Sequence, residues 1–87
     1  MRTAIKRLKE TFDGYRATAK REEDVLWATA ILATKHRKRP FNLQIASRAV
    51  ALLMILHGER EVAERLGISR GRLGVWFNVW LLLGGES

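Results

Sequence analysis

Two residues without bulk, Ala63 and Gly67, constrain this chain more than any others. They lie in the stretch from Glu59 to Asn78, EREVAERLGISRGRLGVWFN, whose apolar positions are Val62, Ala63, Leu66, Ile68, Leu73 and Trp76. These can be buried together if two short helices cross steeply and the chain reverses sharply between them. A side chain larger than alanine at 63 would hold the two helices apart. Gly67 can take the left-handed conformation that stops the first helix. Ser69 suits the N-cap of the second, because its hydroxyl can accept from a backbone N–H two or three residues on. A stop, a turn and a restart therefore fit within about four residues.

Helical spacing recurs through the rest of the chain, with neither an internal repeat nor a sustained strand-like alternation. From Thr3 to Phe12, Ile5, Leu8 and Phe12 form one apolar stripe, and Gly14 is expected to end or bend that helix. A longer helical segment, from about Tyr15 or Glu22 to Lys38, has Val25, Leu26, Thr29, Leu32 and Ala33 on one side, with Trp27 and Ile31 beside them. Glu22, Glu23 and Asp24 favour its first turns through the helix dipole, and Pro40 sets a boundary near Arg39. Asn42 is the expected N-cap of a third helix, Leu43 to His57, which is too apolar for a single stripe and is expected to be the most buried. Its Ser47 and Arg48 are expected in solvent. The fold expected is an all-α, compact bundle of about five helices, with a C-terminal helix-turn-helix over about residues 59–78. The N-terminal helices, within residues 3–39, would serve as support or as a dimerisation region.

At 87 residues the chain is expected to be one domain spanning 1–87, burying about 60–65% of its unfolded surface, so association with a second copy would help it. Sixteen basic residues against nine acidic ones give a formal charge of +7, which points to a polyanionic partner. There is no cysteine, and the two histidines, His36 and His57, lack metal-ligand spacing, so no metal and no cofactor is expected. No serine has an identifiable base, and no glycine-rich phosphate loop follows a strand. An enzyme is not expected. The N-terminus lacks the apolar core of a secretory signal, and no apolar run approaches the ~20 residues that cross a bilayer. No membrane association and a cytoplasmic location are the expectation.

If the second helix of the motif begins near Ser69 and turns Leu73 and Trp76 inward, its outward positions are Arg70, Gly71, Gly74, Val75 and Asn78, with Arg72 on the flank. That set suits the major groove of DNA. Arginine can donate two hydrogen bonds to guanine, asparagine can pair with adenine, and glycine lets a helix lie close to bases and phosphates. Lys35, Arg37, Lys38, Arg39, Arg48 and Arg60 are candidates for the phosphate backbone. Positive charges near a helix C-terminus are equally accounted for by the helix dipole.

The segment over about residues 58–78 resembles the C-terminal helix-turn-helix of Fis-type proteins and related bacterial enhancer-binding activators. The shared residues are Ala63, Gly67, Ile68, Ser69, Arg70, Gly71 and Leu73, after an apolar helix that ends at Gly58. The resemblance covers roughly a quarter of the chain. It implies binding to double-stranded DNA as a homodimer, with the second helix in the major groove and Arg70 and Arg72 near phosphates or base edges. Where that family has a basic end to its second helix, this chain has an apolar one, running from Val75 through Leu83. Phe77, Trp80, Leu81 and Leu83 are therefore candidates for core packing or a dimer contact. The function expected is that of a small bacterial, phage or plasmid transcriptional regulator on a palindromic operator. The alternative is a helical adaptor that docks a larger protein partner through the same apolar helix. RNA binding is less favoured, since no exposed sheet of stacking aromatics is evident.

Overall fold

The computed structural model describes residues 13–35 and 42–85. Five helices run through them: α1 (residues 13–21), α2 (Glu23–Lys35), α3 (Leu43–His57), α4 (Glu59–Leu66) and α5 (Arg70–Leu82). No strand occurs among the described residues, and the protein is an all-α bundle. The helix expected over Thr3 to Phe12 lies outside them, as do Arg37, Lys38 and Arg39.

The centre of the bundle is α3, which packs against α2, α4 and α5. Its start is defined locally: the Asn42 Oδ1 accepts from the backbone N–H groups of Gln44 and Ile45, at 2.8 and 3.2 Å. Two backbone donors that have no partner inside the helix are thereby satisfied. Val50, Leu52 and Leu53 are wholly enclosed, and each such burial contributes about 1.5–3 kcal/mol relative to exposure. Val62 and Leu66 of α4, Leu73 and Trp80 of α5, Leu26 and Ala30 of α2, and Ala19 of α1 complete the core.

Several expectations need correction. Gly14 does not end a helix, because it lies inside the helical run 13–21. The break falls at Glu22, where a turn residue separates α1 from α2. Backbone bonding nevertheless continues across it, from Glu22 N–H to the Thr18 carbonyl and from Leu26 N–H to the Glu22 carbonyl. The buried face of α2 is Leu26, Ala30 and Ala33, whereas Val25 and Leu32 are 65% and 57% exposed. Small alanines let α2 lie close to α3, and that choice rotates the larger side chains outward. On α3, Leu43 and Ile45 are likewise exposed.

Ser47 was expected in solvent but is completely buried, its Oγ donating to the Gln44 carbonyl at 3.2 Å. Hydroxyl donation within the helix removes the desolvation penalty that would otherwise oppose burial. Arg48 reaches back across the bundle instead of outward: its Nη1 and Nη2 donate to the two carboxylate oxygens of Glu22 at 3.2 and 3.0 Å. This two-pronged pair holds the α1–α2 junction against α3.

Candidate nucleic-acid interface

The α4–α5 corner is built as its local residues dictate. Gly58, at φ 89°, separates α3 from α4, and Gly67, at φ 68° and ψ 31°, ends α4 in the left-handed region. The Ala63 carbonyl accepts from both the Gly67 and the Ile68 N–H groups, at 2.9 and 3.2 Å. Two residues later the Ser69 Oγ accepts from the Arg72 N–H at 3.2 Å and starts α5. Val62, Ala63, Leu66 and Leu73 are buried, while Ile68 and Trp76 are half-buried against them.

With Leu73 and Trp80 anchoring one side of α5, the opposite side carries Gly71, Val75 and Asn78 in solvent, with Arg70 and Arg72 exposed on its flanks and Gly74 half-buried. No acidic residue occurs anywhere in α5, and its only charges are Arg70 and Arg72 in the first turn. Arg72 has no side-chain partner among the described residues. Arg70 does: its Nε donates to Glu59 Oε1 at 3.1 Å, across the α4–α5 corner. Glu59 was not among the expected site residues, because eleven positions separate it from Arg70 and only the reversal at Gly67 brings them together. Arg60 and Arg65 pair along α4 with Glu64 and Glu61, each at 3.5 Å. Among the expected backbone contacts, Lys35 is exposed at the end of α2, Arg60 is exposed beside Glu64, and Arg48 is engaged by Glu22.

A polar cluster sets how this corner sits on the bundle. His57, at the end of α3, has Nε2 2.7 Å from Glu23 Oε2 on α2 and Nδ1 3.1 Å from Glu61 Oε2 on α4. Trp27 Nε1 donates to the same Glu23 oxygen at 3.1 Å, and the Arg65 guanidinium lies 4.9 Å from the Trp27 ring centre. These bonds hold the Glu23 carboxyl below its ordinary value, the His57 contact first and Trp27 next, against a smaller opposing effect of burial. Hydrogen bonding from Arg48, reinforced by its charge, does the same for Glu22.

The apolar end of α5 divides in two. Trp80, a candidate for core packing or a dimer contact, is 1% exposed within a single chain, edge-on to Tyr15 at 5.3 Å and beside Phe77 at 5.5 Å. It belongs to the core, and Phe77 is half-buried beside it. Leu81 and Leu83 are exposed, and Leu82 most of all, at 86%. Gly84 and Gly85, both at positive φ, follow the helix. No helix among the described residues is long and apolar enough to cross a membrane. No protein-family model, curated protein or solved structure matches the chain.

Proposed function

We propose that this is a small sequence-specific DNA-binding protein, a transcriptional regulator that lays α5 in the major groove and binds a palindromic operator as a homodimer. One observation carries the reading. Opposite its anchors Leu73 and Trp80, α5 offers a face without acidic residues that combines Arg70 and Arg72 with Gly71, Val75 and Asn78. Arginine and asparagine are the side chains best matched to guanine and adenine edges, and the glycines allow close approach. The formal charge of +7 favours a polyanion, and the likeness of residues 58–78 to Fis-type motifs agrees. In a homodimer the two copies of α5 would address half-sites about 34 Å apart, one turn of duplex. A cytoplasmic setting in a bacterium, phage or plasmid system fits such a regulator.

The test is selection from a pool of random duplexes at two salt concentrations, with sequencing of the bound fraction. An enriched palindrome and an affinity that falls steeply with salt are expected. Absent or sequence-blind binding would reject the reading. It would favour the second one, a protein-docking module, which the exposure of Leu81, Leu82 and Leu83 supports.

A further inference from the structure

We infer that the cleft between α1, α3 and α5 is a binding site for a small aromatic anion. The cleft is open to solvent and has a volume of about 510 Å³, within the range of small-molecule sites, which typically pair apolar walls with a few convergent polar groups. Met54 and Ile55 of α3 and Phe77 of α5 form its apolar wall, and Arg16 and Asn78 supply donors at its rim. All three apolar side chains are only partly covered by the core they pack on. They form a surface on which a flat ring can lose its water.

The charge of the ligand follows from the pairing of the two ionic groups that line the cleft. The Glu59 carboxylate is already engaged by Arg70 at 3.1 Å. Among the described residues Arg16 pairs only with Asp13, at 3.9 Å between side chains that are both more than half exposed, a pairing that counts for little in water. Asp13 does not line the cleft, and the Asn78 side chain makes no hydrogen bond among the described residues. The available groups are thus a guanidinium and a side-chain amide, which together match a carboxylate or sulfonate.

Gly74 keeps the cleft open. It lines the cleft from the interior of α5, and a Cβ built on it would meet nothing within 4 Å. Packing within the chain therefore does not require glycine at this position, although glycine is among the poorest helix formers. Its bare backbone leaves room where a longer side chain would fill the space between Phe77 and Asn78. The site does not depend on DNA binding, and because Gly74 and Asn78 also border the exposed face of α5, a bound anion would sit at the edge of that face.

The experiment uses the full chain without DNA and two fluorescent probes: 1-anilinonaphthalene-8-sulfonate and its uncharged parent, N-phenyl-1-naphthylamine. Saturable one-to-one binding of the sulfonate is expected, with the uncharged parent weaker by about fivefold or more. Arg16→Gln should close that gap. Gly74→Leu, whose helix is retained by circular dichroism, should weaken the sulfonate by about tenfold or more through steric filling. Ile45→Gln, in the separate groove between α2 and α3, should leave binding unchanged. Equal affinity for the two probes, full binding by Gly74→Leu, loss of binding in Ile45→Gln, or no saturable binding would each overturn the inference.

Discussion

His57 and Glu23 meet at 2.7 Å, joining the last residue of α3 to the first residue of α2, and the other ring nitrogen of His57 faces Glu61 on α4. The ring thus has a carboxylate beside each nitrogen. Three helices therefore converge on one side chain, and the seat of the α4–α5 corner depends on it. His57→Gln, which keeps at most one of these contacts, is expected to lower the unfolding midpoint measured by thermal denaturation at pH 6. Unchanged stability would assign the cluster to the surface.

Acid should loosen the same region. The carboxyls of Glu22 and Glu23 are both lowered from the ordinary value of 4.5 by the bonds they accept. A lowered value means that the folded state favours the ionised form. The resulting stabilisation is complete above the unfolded value and is lost as pH falls through the folded one. Thermal midpoints should thus drop between about pH 5 and about pH 3. Glu22→Gln and Glu23→Gln should each be less stable at pH 6 and show a shallower acid decline.

Gly67 and Gly74 should respond in opposite directions to the same substitution. At φ 68° Gly67 occupies a conformation that costs alanine about 1–2 kcal/mol, although no atom crowds the position. Gly67→Ala is therefore expected to destabilise by that amount. At Gly74, inside α5 and equally uncrowded, alanine should stabilise by up to ~1 kcal/mol through helix propensity. Urea denaturation of the two variants makes the comparison directly.

On a selected duplex, Arg70→Ala should cost about 1–3 kcal/mol if the guanidinium reads a base. Because Glu59 takes the Nε, both terminal nitrogens remain for a two-pronged contact. Arg70→Lys should not restore binding, since an ammonium cannot form that fork. Equal losses on selected and random duplex, measured by fluorescence anisotropy, would reassign Arg70 to a phosphate.

Within the core, Leu52→Ala should destabilise by about 2–5 kcal/mol, because the side chain is wholly enclosed. Trp80 differs in carrying a buried Nε1 without a hydrogen-bond partner among the described residues. An orphaned donor of that kind costs about 1–3 kcal/mol, and phenylalanine would remove it. Trp80→Phe is thus expected to cost less than Leu52→Ala in the same denaturation assay.

What could be read directly from residue order were the events completed within one helical turn. The Asn42 cap, the Gly67 stop and the Ser69 restart each involve partners no more than five residues apart, so their chemistry is local. The burial of Val62, Ala63, Leu66 and Leu73 followed from those boundaries. For α2 the apolar residues occupy more than one stripe, and nothing local chooses between Val25 with Leu32 and Leu26 with Ala30 and Ala33.

Residue order by itself determined the helical class of this protein, the limits of α3 and α4, the start of α5, and the set of side chains available on α5. Tertiary structure alone decided which face of α2 meets α3, that Ser47 and Trp80 lie in the core, and that Arg48 turns back to Glu22. It also brought Glu59 to Arg70 and His57 to Glu23, and opened the cleft beside Gly74. The physical reason is range. Capping and helix propensity act over a few bonds, whereas burial and charge pairing depend on which surfaces meet after the whole chain has packed.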